Sequence, residues 1–433
     1  MRNAGPERSR RRGRFLVLSL WAALACALSP IGARASDPLN SSDRPTQDAK
    51  APVGSSTEFN VLPVAGGTTD IGFGGGFFIG LVRVRRGYDP YEWNIESDGL
   101  VTFKSREGGG VILPYQDISV TLTVPRFLDA PLHLEIRPSY SYESTLNYYG
   151  IGNASSAATP VGSPASYHEY TRIHPEVSFK LSGRIADHLA WRIGLRYVQT
   201  WVDVQDNSRL ATDLRAASPE VKSLLGSTRP NAVVALQYGL QFDNRDNDVS
   251  THSGSYESVD ARLVPGGVGP LPYRYGRGMA TTRVFIPIWK PRITLALRAV
   301  GDWLIGAPPF YELSTFDTTY AIGGQNGVRG VPAQRYYGKI KVFGNVELRT
   351  QVASFRALGK PFIFGMVAFL DGGRVWTDIK PHPELDGTGV GLKYGVGGGL
   401  RLQSGTAFVL RADVAWSPDA TPVGGYFAAG EMF

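Results

Sequence analysis

The sequence is short of several things, and each shortage excludes a class of protein. Of 433 residues only 1 is cysteine, Cys26, and it falls within what reads as an export leader. The exported chain therefore has no disulfide available, and something else must hold it together. Beyond the leader no apolar run approaches the roughly 18 residues that a membrane-spanning helix needs. The 6 histidines (His133, His168, His174, His188, His252 and His382) show no HxxH, HExxH or Cys/His spacing, so no metal or cofactor is expected. An excess of one charge is missing too. The whole chain is +7, but residues 1–35 hold seven Arg and one Glu, or +6, which leaves the remainder near +1. The basic balance belongs to the leader, and nucleic acid is not an expected partner.

The leader itself is legible. Arg2, Arg8, Arg10, Arg11, Arg12 and Arg14 form a basic n-region, Phe15 to Ala25 an apolar h-region, and Ala33-Arg34-Ala35 a small-residue cleavage site. Residues 1–35 are expected to be removed, so that the mature chain starts at Ser36. Ala23-Leu24-Ala25-Cys26 is a poor lipobox, which disfavours a lipoprotein. Residues 36–56, rich in Ser, Pro, Asp and Asn, read as a flexible lead-in. Residues 57–433 read as one β-barrel with no second domain.

What the chain does have is glycine, aromatics and alternation. It carries 52 Gly, 20 Tyr, 20 Phe and 8 Trp, a composition that points to β structure. In Ala407–Trp416, Phe408, Leu410, Val414 and Trp416 alternate with Val409, Arg411 and Asp413. In Ile340–Arg349, Val342, Val346 and Leu348 alternate with Lys341, Asn345, Glu347 and Arg349. Such a pattern fits a soluble sandwich, with charge toward water, or a membrane barrel, with charge toward the lumen. The leader and the aromatics at strand ends (Tyr197, Trp201, Trp303, Trp376 and Trp416) favour the membrane. So does the terminus, where the segment carrying Tyr426, Phe427, Gly430 and Phe433 has the position and final Phe of an outer-membrane β-signal. Glu431 stands where that signal usually has an apolar residue. Fifteen segments read as strands, from 69–84 to 424–433. Single-chain barrels prefer even counts, so sixteen are expected, with the missing one before residue 231. The fold class is all-β, a transmembrane antiparallel up-and-down barrel.

Two motifs stand out from a generic barrel. One is Ile322-Gly323-Gly324-Gln325-Asn326-Gly327-Val328-Arg329-Gly330-Val331, in the long connection before 339–352. The other is Phe369-Leu370-Asp371-Gly372-Gly373-Arg374-Val375-Trp376. Here the chain resembles the superfamily of outer-membrane assembly factors and two-partner-secretion translocators, the BamA, TamA and FhaC kind, also called bacterial surface antigens. The resemblance covers about residues 69–433. It implies that loop 6 folds into the lumen and that its Arg329 pairs with the inward acids Glu347 and Asp371. An arginine fork between two carboxylates would hold such a loop in one pose. Val331 stands where the family has an aromatic. Asp243-Asn244-Arg245-Asp246 with Gly254, and Tyr148-Tyr149-Gly150-Ile151-Gly152-Asn153, resemble lesser family features. The glycines Gly72, Gly74, Gly75, Gly76 and Gly80 fall on the expected first strand, and the family's lateral gate lies between first and last strands.

The family usually carries periplasmic POTRA modules, and the residues between Ser36 and the first expected strand are too few for one. The resemblance thus implies a POTRA-less member that aids insertion or translocation of proteins or lipids. Its expected partners are outer-membrane lipids, the general barrel-assembly machinery for its own insertion, and a client protein or POTRA-bearing partner. A plugged channel or structural barrel is the alternative. A barrel lipase or protease, drawn on His252 with Ser250, Ser253 and Ser255, is disfavoured because adjacent Ser and His in a loop arise readily by chance. Gly395-Val396-Gly397-Gly398-Gly399 lacks the Lys-Ser/Thr and helix of a nucleotide loop. The expected reading is a non-enzyme.

Overall fold

A computed structural model describes residues 55–433 apart from 107–108, 268–270, 318, 358, 406–407 and 420–422. The export leader, its cleavage site and nearly all of the lead-in lie outside the described residues. Sixteen strands close into one antiparallel barrel. They are β1 Ser55–Thr68, β2 Gly72–Arg85, β3 Trp93–Ser105, β4 Tyr115–Val124 and β5 Leu132–Asn147. Strand β6 is broken at His174-Pro175 into Glu169–Ile173 and Glu176–Ala186. There follow β7 Leu189–Asp203, β8 Asn231–Asp243, β9 Gly254–Val264, β10 Arg274–Trp289 and β11 Ile293–Ala307. The last five are β12 Ile340–Ala357, β13 Lys360–Trp376, β14 Lys393–Ser404, β15 Phe408–Trp416 and β16 Gly424–Ala429.

The burial pattern decides between sandwich and membrane barrel. On β12, Val342, Val346 and Leu348 are 40–48% exposed, while Lys341, Asn345 and Glu347 are at most 1% exposed. A soluble protein would reverse these faces, since unpaired charge is costly to bury. Here many of the inward charges have an opposite partner. Lys341 meets Asp302 at 2.8 Å, Arg277 meets Asp302 at 2.7 Å, and Arg196 meets Glu176 at 2.6 Å. Apolar residues out and paired charges in is the arrangement that lipid outside and a polar lumen inside require.

The missing strand is β1. It lies before residue 231, as expected, but ahead of the strand series that the sequence began at 69: the first strand starts at Ser55 and pairs with all of β2. Pro63 sits in its middle, which argues against a central strand and is tolerated on an edge. Its inward residues Leu62 and Val64 are apolar, so the in–out alternation that marks other strands is blurred. The glycine-rich run therefore belongs to β2, one strand away from the seam, where the Phe77 ring lies over Gly99.

Turns at the N-terminal end of β1 are short, as at 187–188 and 290–292, and among the described residues none exceeds 244–253. The longest connections, 148–168, 204–230 and 308–339, all emerge at the other end, which is the extracellular one by the usual asymmetry of such barrels. With Tyr170 of β6 they pack into an apolar dome of Tyr148, Leu210, Leu225, Phe310 and Tyr337. Two short helices contribute to it. In α1 Arg209–Ala216 the Ser208 hydroxyl accepts from Ala211 N, and in α2 Pro219–Leu225 proline takes the first turn after capping Ser218.

Candidate functional site

The loop between β11 and β12 carries Arg329, and its side chain is fully buried. Its Nε and Nη2 donate to the two oxygens of Asp371 at 2.7 and 3.0 Å, a bidentate fork. Its backbone N also donates to Asp371, at 3.0 Å. Nη1 lies 2.7 Å from Glu347 Oε1, off the N–H direction, and donates to Asp413 at 3.2 Å. The guanidinium stacks 3.4 Å above the Phe369 ring centroid. Burial works against its charge, but Glu347 and Asp371 outweigh that, so the guanidinium holds its proton more tightly than usual. The acids are balanced in turn, for Arg349 pairs with Glu347 at 2.8 Å and Arg401 with Asp413 at 2.5 Å.

Close backbone approach makes this possible. Gly330 has φ +91°, in the left-handed region, and a Cβ there would lie 2.9 Å from the Trp416 carbonyl carbon. A Cβ on Gly395 of β14 would lie 1.8 Å from the Arg329 carbonyl oxygen. Gly324 N donates to Val331 O at 3.0 Å and closes the loop's own turn, which begins at Gly323. Val328 and Val331 are buried with Ile322, Tyr336, Phe343 and Val375.

The same loop is tied to the strand seam. Gly330 N donates to the Tyr426 hydroxyl of β16 at 2.8 Å, and Ala333 N to Asp70 in the β1–β2 turn at 3.1 Å. Beside this tether, β1 and β16 share only the pairs Gly67↔Phe427 and Thr68↔Tyr426. Upstream of Gly67 the register of β1 runs to β2 and not to β16. The barrel is thus fastened at its extracellular rim and parted below it.

Of the residues expected from sequence, Arg329, Glu347 and Asp371 come together. Two partners were missed: Asp413, although its inward face was legible, and Phe369, which lies within the second motif. Also missed was Glu312, which holds the loop at a second point by meeting Arg277 at 2.6 Å. The terminus departs from expectation. The expected strand 424–433 stops at Ala429, and Met432 and Phe433 turn inward against Phe285 and Ala296. Charge draws it in: Glu431 meets Arg401 at 2.8 Å, and Arg349 Nη2 donates to Phe433 O at 3.0 Å. Tyr426 and Phe427 remain on β16. The sketched Ser/His site does not assemble as a hydroxyl–imidazole pair. Ser250 donates to Gln403 at 3.1 Å and the His252 ring meets Gln351 at 2.9 Å.

Among solved structures the fold is similar to a BamA from Haemophilus ducreyi lacking POTRA domains 1-3. The TM-score is 0.56 at 14% identity, over 87% of this chain and 70% of that one. It is also similar to CdiB from Escherichia coli, with TM-score 0.52 at 14% identity, over 86% of this chain and 62% of that one, less than two thirds of its length. At such identity the likeness is one of fold. No individual curated protein matches by sequence. The model of the Omp85 superfamily domain matches residues 114–433, from the fourth strand to the terminal Phe433 and thus most of the chain, so this protein belongs to the Omp85 superfamily.

Proposed function

We propose that this barrel aids insertion or translocation of client molecules at the outer membrane, and that the seam edge of β1 is where a client strand pairs. The observation that carries this reading is the seam itself. Strand β1 is in register with β2 over 14 residues, but with β16 over only Gly67 and Thr68. A strand edge outside a ladder is a template for another chain's strand. Elsewhere proteins shorten, charge or cover such edges; this one holds its edge in a barrel wall beside lipid.

Loop 308–339 is read here as a lumen plug and a fastener. Arg329 anchors it to β12, β13 and β15, while Gly330 and Ala333 reach the two sides of the seam. With the dome over the extracellular end, lateral passage through the wall is favoured over passage straight through the lumen. No step in this reading calls for catalysis.

Continuing the seam register would set Ala65 opposite Ala429. In a variant carrying Ala65→Cys and Ala429→Cys, oxidation is expected to zip the edge shut and abolish client assembly, with reductant restoring it. The readout is the quantitative outer-membrane proteome and lipid profile against a strain lacking the gene. Selective loss of a few barrel proteins or a surface lipid in both strains supports the reading. An unchanged profile in the deletion strain rejects it in favour of a plugged channel or structural barrel.

A further inference from the structure

A cavity of about 870 Å³ lies just inside the parted seam. Leu62 and Val64 line it from the inner face of β1, and Phe408 and Phe427 from the lipid face of β15 and β16. A space lined from both faces of a wall crosses that wall, so it joins the lumen to the bilayer interior. Its seam side is apolar where the rest of the lumen is charged, with Phe78 and Leu100 beside Leu62 and Val64.

Arginines line the rest of the cavity, Arg283 and Arg298 across from the seam and Arg411 on the inner face of β15. Arg283 and Arg298 stand directly opposite each other on the β10–β11 ladder, an arrangement that like charges make unfavourable. Arg298 donates to Asn345 Oδ1 at 2.9 Å and to the Asn326 carbonyl, and Arg411 donates to Asn326 Oδ1 at 3.3 Å. Neither Arg283 nor Arg298 forms an ion pair among the described residues. The acid nearest Arg411 is Asp413, at 4.0 Å, and it already serves Arg329 and Arg401. Arg283 Nε and the Nε and Nη1 of Arg411 are buried without a hydrogen-bond partner. The acids of the cavity wall are engaged elsewhere. Asp98 accepts from Ser119 at 2.7 Å, Asp248 faces Arg245 at 3.8 Å, Asp317 pairs with Arg262 at 3.0 Å and Glu431 with Arg401.

We propose that this cavity binds a bilayer lipid with an anionic, phosphate-type head, which Arg283, Arg298 and Arg411 receive while the chains lie against the apolar inner face of β1 to β3 and leave through the seam. Arg283 and Arg298 lack an ion-pair partner, the acid near Arg411 is shared with two other arginines, the near side is apolar, and an anionic amphiphile entering from the membrane meets both. The volume fits a bound head with its upper chain segments. This goes beyond strand pairing at β1, and because it is measured on the purified protein without client, either reading can fail alone.

The test is native mass spectrometry of the delipidated full-length protein, titrated with phosphatidylglycerol or with phosphatidylcholine in mixed micelles. Retention of one phosphatidylglycerol is expected at about tenfold lower concentration than of phosphatidylcholine, because the charge-assisted bonds are made to the anionic head alone. Replacing all three (Arg283→Gln, Arg298→Gln, Arg411→Gln) should erase the preference, and replacing all three by Lys should keep most of it. A second variant, Val64→Trp, leaves the arginines intact and fills the apolar side; it should weaken retention of both lipids. Equal retention of the two lipids, an unaltered preference in the Gln variant, or displacement of the lipid by millimolar inorganic phosphate would each overturn the assignment. If the Gln variant loses its folded mobility on unboiled gels, the Val64→Trp result decides, and unweakened retention there sinks the proposal.

Discussion

At the scale of single residues, three acids surround Arg329, and each acid but Asp371 has a second arginine. Removing Arg329 therefore strands the buried Asp371 carboxylate and leaves Glu347 and Asp413 with one close cation fewer. Arg329→Ala is expected to destabilise the folded barrel by about 3–5 kcal/mol, the usual loss when one partner of a buried pair is deleted. It should show as a lower temperature of collapse of the folded band on unboiled gels, and unchanged heat resistance would reject the lock. Arg329→Lys keeps the charge and loses the fork to Asp371, so it should fall between wild type and Arg329→Ala. Asp413→Asn should also destabilise, because it removes a partner from both Arg329 and Arg401. The Arg329 and Asp371 changes should be strongly non-additive in a double-mutant cycle.

At the scale of elements, loop 308–339 is fastened twice, by Arg329 and by Glu312. Glu312 is buried, which by itself would raise its pKa, but Arg277 and Arg262 outweigh burial and hold it below the ordinary carboxylate value. Asp317 is likewise held down, the desolvation of its half-exposed side chain outweighed by Arg262 and Arg196. A carboxylate with a depressed folded pKa contributes stability above its unfolded value, near 4, and that contribution is lost as pH falls through the folded value. Acidification from neutral to below about pH 4 should thus loosen this loop. Protease nicking within 308–339, followed against pH, is the check; Glu312→Gln should remove part of the acid dependence and give a looser loop already at neutral pH. The loop's sequence signalled Arg329 through the Val328-Arg329-Gly330 motif. Nothing marked Glu312, because its partner Arg277 lies on β10, a strand that no local pattern connects to it.

At the scale of the whole molecule, the two ends of the barrel differ. The extracellular end is roofed by a dome in which Tyr148 donates to Asp213 of α1 at 2.9 Å and stacks edge-on to Tyr337, their centroids 5.2 Å apart. The seam side opens into a cavity instead. The reconstituted protein should therefore conduct ions poorly in planar bilayers, and replacing 205–228 with a short Gly-Ser linker should raise conductance while folded mobility is kept. If conductance does not change, the barrier lies at the other end, where Ser250 and His252 of turn 244–253 reach Gln403 on β14 and Gln351 on β12.

By itself the sequence determined the class of the fold and the inward and outward faces of several strands, while the meeting of Arg329 with Glu347 and Asp371 was what the family resemblance implied. Alternation with a period of two is a local property of the chain, so it can be read without knowing any neighbour. Only the tertiary structure decided the rest. Strand β1 was hidden because Leu62, Pro63 and Val64 break the local rule, and they break it at the seam, where the wall meets a cavity instead of a charged lumen. Asp413 was visible as an inward acid, but not as a ligand of Arg329. Its place in the site depends on closure bringing β12, β13 and β15 around one point, which strand patterns do not encode. Glu431 and Phe433 likewise turn inward because Arg401 and Arg349 lie across the last strand's end, at sequence separations that only a closed barrel makes short.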